Sequence, residues 1–174
     1  MPGWRDFLLL DDDALLAQCE VDRFRASGPG GQHRNKTDTA VRLRHRPSGL
    51  EAGAVESRSQ HENRAVALRR LRVTLAVALR EPVTPDGYTP PEPLAGTLRG
   101  GRIVVSERNP RYPVVVAQAF DVLEAAGWRV AEAADALGLS TSALGRFLEA
   151  DPVLFRAANA RRVAVGLPPL RGRA

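Results

Sequence analysis

The chain has 174 residues, 44% of them hydrophobic, and its 25 Lys and Arg against 20 Asp and Glu give a formal net charge of +5. That length suits one ordinary domain, or a small domain of roughly 100 residues with an appendage, and excludes a large multi-domain machine. No apolar run approaches the roughly 20 residues of a membrane span and no basic-then-apolar leader opens the chain, so no membrane contact, no secretion and a cytoplasmic location are expected.

In chain order, Leu10-Asp-Asp-Asp-Ala-Leu-Leu predicts a helix start, with Asp11 to Asp13 as cap and first-turn anions. Cys19 to Ala26 alternates as a strand would, with Cys19, Val21 and Phe24 toward a core. The run Ser27-Gly-Pro-Gly-Gly-Gln breaks it. Thr39 to His45 alternates cleanly, Val41 and Leu43 opposite Arg42 and Arg44; Pro47-Ser-Gly predicts a turn, and Leu50 to Val55 the next strand of that hairpin. From Ser59 to Leu79 the period becomes helical, with Ala65, Leu68, Leu71, Leu75 and Leu79 on one side.

Five prolines and several glycines between Glu81 and Gly101 read as a linker rather than a regular element. Val104 to Asn109 suits a short strand or a loop, and Val114 to Ala126 a helix. Val130 to Leu137 and Thr141 to Leu148 read as two helices joined by Gly138-Leu-Ser, with Gly138 at positive φ and Ser140 as cap, a helix-turn-helix pattern or a plain helical hairpin. The fold class is therefore α+β. A small antiparallel or mixed sheet with one long covering helix occupies residues 1–80, a Pro/Gly-rich linker 81–102, and a small helix-turn-helix-like module with a short basic tail 103–174.

Charge is unevenly spread. Between Arg23 and Arg80 thirteen basic residues face four acidic ones, a net +9, which leaves the rest of the chain net acidic and points to an anionic partner such as nucleic acid. The single cysteine, Cys19, can form neither an intramolecular disulfide nor a structural zinc site. His33, His45 and His61 lack acidic or cysteine partners at ligand spacing, so no metal and no cofactor are expected.

The segment Arg25-Ala-Ser-Gly-Pro-Gly-Gly-Gln-His-Arg-Asn-Lys-Thr spends three glycines and a proline in five positions. Such a loop is costly to order, yet it lets backbone N–H groups approach a ligand closely or cradle an anion. It matches neither the P-loop nor the dinucleotide spacing.

On these residues, and on the later string Arg58-Ser-Gln-His-Glu-Asn-Arg-Ala, the chain resembles the catalytic domain of class I peptide chain release factors and of stand-alone ribosome-rescue peptidyl-tRNA hydrolases, from about Val21 to Leu75. The resemblance implies a ribosome-dependent hydrolase in which Gly30, Gly31 and Gln32 are catalytic. The loop would enter the peptidyl-transferase centre of the large-subunit rRNA beside the end of the peptidyl-tRNA. There the backbone N–H of Gln32 would stabilise the oxyanion while its side chain limits the space to one water. That role suits Gln32, which has no titratable proton and is a poor general base.

Gly30 and Gly31 would be needed for backbone conformation, so substituting either should abolish hydrolysis and spare ribosome binding. Arg25, Arg34, Lys36, Arg58 and Arg64 would meet rRNA or tRNA phosphates, with Ser27, Asn35 and Gln60 in the same RNA-binding set and His33 positioning the loop or stacking on RNA. Arg34 and Arg64 depart from the family's usual small apolar residue and lysine. The family's glutamine is often N5-methylated, which makes a glutamine methyltransferase a further partner; a monomer is expected.

Nothing after residue 80 resembles a stop-codon-reading domain, and the region holds only a few terminal arginines in place of a long basic tail. Codon-independent rescue of stalled ribosomes is the leading reading. The alternatives are a release-type hydrolase sent to a special substrate by its C-terminal module, and a non-catalytic ribosome- or RNA-binding protein.

Overall fold

The computed structural model describes residues 3–24 and 39–172. Its elements are α1 (Arg5–Leu8), α2 (Asp12–Ala17), β1 (Cys19–Phe24), β2 (Ala40–His45), β3 (Glu51–Ala54), α3 (Gln60–Ala78), α4 (Leu94–Thr97), β4 (Leu98–Arg99), β5 (Arg102–Ile103), α5 (Tyr112–Ala125), α6 (Val130–Ala136), α7 (Thr141–Ala150) and α8 (Pro152–Ala164). Contacts divide the chain into Leu9–Leu75 and a second unit made of Met1–Leu8 with Ala76–Ala174. The architecture is α+β, with a small antiparallel sheet, a long helix and several further helices.

In the unit Leu9–Leu75, Asp11 caps α2 by accepting the Ala14 N–H at 2.8 Å, as the triple aspartate predicts. β1, β2 and β3 form an antiparallel sheet in that order, with Val21 opposite Leu43 and Leu43 opposite Ala52. Val41 and Leu43 are fully buried, as are Leu15 and, on α3, Ala67, Leu71 and Leu75, with Leu68 nearly so. These side chains are the core of the unit, and burying each leucine is worth about 1.5–3 kcal/mol.

Three sequence expectations fail on geometry. Val21 shares the face of its partner Leu43 but lies on the edge strand, where it stays 40% exposed. Phe24 is an odd number of residues from Val21 and so points to the other face, where it meets Arg42, whose guanidinium carbon is 5.8 Å from its ring centroid. Ala65 is also exposed, because it is two positions from both Asn63 and Ala67, roughly 200° round the helix from the buried stripe.

The β2–β3 turn is clasped by His45, which is fully buried. Its Nε2 lies 2.9 Å from Gln18 Oε1 and its Nδ1 2.7 Å from Ser48 Oγ. An amide oxygen can only accept, so Nε2 carries the proton in a neutral ring and the serine hydroxyl donates to Nδ1. Burial lowers the His45 pKa below its ordinary 6.5. The unfolded chain therefore binds this proton more tightly than the fold does. The stabilising effect of neutral His45 is complete above 6.5 and fades as the pH falls below it. Urea midpoints between pH 8 and pH 5 are expected to fall, and His45→Gln to flatten that part of the profile.

In the second unit α5 is buried from Tyr112 to Leu123. Its Gln118 side chain holds the start of α4, accepting the Leu94 N–H at 3.1 Å and donating to the Glu92 carbonyl at 3.0 Å. The segment expected to be free of regular elements thus contains α4 and the β4–β5 hairpin. Gly100 and Gly101, at φ 56° and 69°, make the two-residue turn that twisted strands require, a signal the proline count obscured.

α6 and α7 are joined as their spacing predicts, with Gly138 at φ 66° and Ser140 Oγ accepting the Ala143 N–H at 3.1 Å. α8 starts at Pro152 behind a second cap, Asp151, whose Oδ1 accepts the Val153 N–H at 2.7 Å and whose Oδ2 accepts the Tyr112 hydroxyl at 2.9 Å. Trp128 stands at φ 62°, a strained conformation for a bulky residue. It is held by burial, by an edge-on contact with Phe120 at 5.6 Å, and by Arg162 donating to its carbonyl at 2.5 Å.

Candidate functional site

Of the residues singled out for chemistry, Gly30, Gly31 and Gln32 lie outside the described residues, as do Arg25, Ser27, His33, Arg34, Asn35 and Lys36. What the structure describes is the ground they spring from. Phe24 pairs with Ala40 at the last rung of the β1–β2 ladder, so residues 25–38 join two neighbouring strand ends.

Thr39, just past that segment, is tied to α3. The fully buried Asn63 donates from Nδ2 to the Thr39 carbonyl at 2.6 Å and to the Ser57 carbonyl at 2.8 Å, while its Oδ1 accepts the Ser57 N–H at 2.9 Å. Those bonds fix the β3–α3 connection and the start of α3 to the base of the motif segment. Serines complete the helix start. Ser59 Oγ accepts the Glu62 N–H at 3.3 Å, Ser57 Oγ accepts the Ser59 N–H at 3.0 Å, and Ser57 donates to the Glu62 carboxylate.

Arg58, Gln60 and Arg64 therefore sit at one end of α3, on the connection and first turns that Asn63 anchors. Arg58 and Arg64 are exposed, and neither forms an ion pair among the described residues. Several other members of the basic cluster are neutralised. Arg42 pairs with Asp22 at 2.8 Å, Arg44 lies between Glu20 at 3.9 Å and Glu51 at 3.6 Å, Arg70 meets Glu56 at 2.5 Å and Arg72 meets Asp12 at 2.8 Å. The Arg70 guanidinium in turn holds the Glu56 carboxyl below its ordinary range. Arg58 and Arg64, like Arg46 and Arg69, are thus exposed cations without a carboxylate partner among the described residues.

Asn63 was not anticipated by sequence reasoning. Its signal was an amide in the first turns of a helix, in register with Ala67 and Leu71 on the apolar side. Asn63→Leu removes three hydrogen bonds and leaves two part-buried carbonyls and an N–H without that partner, each worth up to about 1–3 kcal/mol when unsatisfied. We expect a loss of roughly 2–4 kcal/mol in chemical denaturation, the three penalties being only partly additive.

Among the described residues no group of three or more His, Cys, Asp or Glu could hold a metal ion, and no helix is long and apolar enough to cross a membrane.

A three-stranded sheet whose first two strands flank residues 25–38, with α3 bonded to Thr39 through Asn63, makes a small α+β unit. A family model described as the RF-1 domain matches residues 15–85.

Among its relatives are peptide chain release factor 2 of Acidithiobacillus ferrooxidans, 56% identical over 63 residues, 36% of this chain and 17% of that protein. Peptide chain release factor 1 of Acidiphilium cryptum is 54% identical over 66 residues, 38% of this chain and 19% of that protein. Peptide chain release factor 2 of Colwellia psychrerythraea is 51% identical over 66 residues, 38% of this chain and 18% of that protein. The match thus spans less than a fifth of the length of these curated relatives.

Proposed function

We propose that the chain is a ribosome-dependent hydrolase that cleaves the ester between a nascent peptide and its tRNA on stalled ribosomes, without reading a codon. The observation that carries this reading is the string Ser27-Gly-Pro-Gly-Gly-Gln-His set inside the stretch that the RF-1 domain model matches. In the proposed site Gly30 and Gly31 let the backbone approach the tRNA end. The Gln32 N–H faces the developing oxyanion and the Gln32 side chain admits one water; the ribosome and tRNA supply the rest. Arg25, Ser27, His33, Arg34, Asn35, Lys36, Arg58, Gln60 and Arg64 hold RNA, and Gln32 is a substrate for a glutamine methyltransferase. Residues 1–80 perform the hydrolysis as a monomer in the cytoplasm, and residues 103–174, beyond the 81–102 connection, direct it.

Residues 167–171 fold back on α8, where Asn159 accepts the Leu170 N–H at 2.6 Å and donates to its carbonyl at 3.3 Å, and Arg162 donates to the Pro168 carbonyl at 3.0 Å.

Labelled-peptide release from ribosomes whose mRNA ends in the P site, extends past it with a sense codon, or presents a stop codon tests codon independence. Release from the truncated complex with equal, lower release from the two extended ones is expected. Release confined to the stop-codon complex would overturn the rescue reading.

A further inference from the structure

We infer that the second unit carries its own docking face for double-stranded RNA, formed by the exposed edge of α7 between the β4–β5 hairpin and the folded-back end of the chain. The choice of RNA over DNA rests on the hydrolase reading above; the face itself does not.

Three observations converge. First, α7 follows α6 across the Gly138 turn, and its outward residues Ser142 and Arg146 are exposed, with Gly145 between them half-exposed. A Cβ at Gly145 would meet nothing within 4 Å, so packing inside the protein does not require this glycine. A glycine inside a helix costs about 0.8–1 kcal/mol relative to alanine, and close approach by a partner is a physical reason to keep one.

Second, β5 lies against α7, and the hairpin it belongs to has the tip Arg99-Gly-Gly-Arg102, both arginines exposed. Third, Ser142, Gly145, Arg146 and Glu149 line an open groove of about 190 Å³ with Phe155, Leu170 and Arg171. The Asn159 bonds to Leu170 place Arg171 there. Arg102, Arg146 and Arg171 form no ion pair among the described residues, so arginines flank the α7 edge on both sides, with Glu149 as the one acid of the groove.

The cations and the hydroxyl suit phosphates. An A-form major groove is too deep and narrow to admit a helix, so the contacts expected are to phosphates and 2′-hydroxyls across the shallow minor groove, largely blind to sequence.

The test is fluorescence anisotropy of the full chain with an RNA duplex of about 16–20 base pairs, the span of one such contact, titrated at several salt concentrations. Arg99→Ala/Arg102→Ala/Arg146→Ala is expected to bind about tenfold more weakly at low salt. Its slope of log affinity on log salt should be shallower by roughly 0.9 per arginine lost. The corresponding triple lysine variant should keep the wild-type slope, which separates lost charge from a damaged fold. Wild-type affinity and slope in the alanine variant would overturn the proposal, and tighter binding of a DNA duplex of the same sequence would overturn the choice of RNA. Binding is read without any peptide release, so failure of the hydrolase reading and failure of this one are distinguishable.

Discussion

Gln32→Pro is expected to slow peptide release about 10²- to 10³-fold, the loss typical of one oxyanion donor, while ribosome binding stays within a few-fold of wild type. Proline has no backbone N–H, so this substitution deletes the proposed donor itself. Gln32→Ala keeps that N–H and changes only the space beside the attacking water, so its defect should be smaller. The order of the two variants therefore separates a backbone mechanism from a side-chain one. Single-turnover release at saturating protein, with binding followed by co-sedimentation, gives both quantities. A larger defect in Gln32→Ala than in Gln32→Pro would place the chemistry on the side chain.

Asp121→Ala is expected to destabilise the second unit by roughly 3–5 kcal/mol, the range for removing one partner of a buried ion pair. The carboxylate, 2% exposed, accepts the Trp4 indole N–H at 2.6 Å and the Glu81 N–H at 2.8 Å, and faces the Arg80 guanidinium at 3.4 Å. Without it a largely buried arginine, stacked 5.2 Å from the Phe120 ring and already lacking a partner at Nε, loses its counter-charge. Desolvation outweighs these donors, raising Asp121 from 3.8 to about 6 and lowering Arg80 to about 10.

The sign is opposite to that at His45. The fold holds the Asp121 proton more tightly than the unfolded chain, so its contribution is full below 3.8 and declines as pH rises through about 6. Asp121→Asn, which keeps an acceptor without the charge, should lose less stability than Asp121→Ala and abolish this decline. Thermal melts followed at pH 4.5 and pH 7 check both statements.

The strands, the long helix and the Gly138 turn were legible in the sequence because each is a local pattern: alternation at Val41 and Leu43, a helical stripe at Leu68, Leu71 and Leu75, and a glycine followed by a capping serine. The Asp121 cluster was not, because Trp4 and Asp121 are 117 residues apart and only the fold makes them neighbours. α8 was readable in part, since Asp151-Pro152 is a cap followed by the proline that begins a helix; the arginines near its end drew attention to charge instead. For the candidate site, Arg58, Gln60 and Arg64 were expected from the sequence, and their structural setting was not. Asn63, which anchors them to Thr39, carries no charge and shows its purpose only through three bonds across the fold.

The measurement that bears most directly on the central claim is release of labelled peptide from ribosomes stalled on truncated mRNA, with the intact protein as the only added factor. Free peptide accumulating to the amount of protein-bound ribosomes within minutes is the predicted result. Label that stays esterified to tRNA on ribosomes occupied by the protein would contradict it.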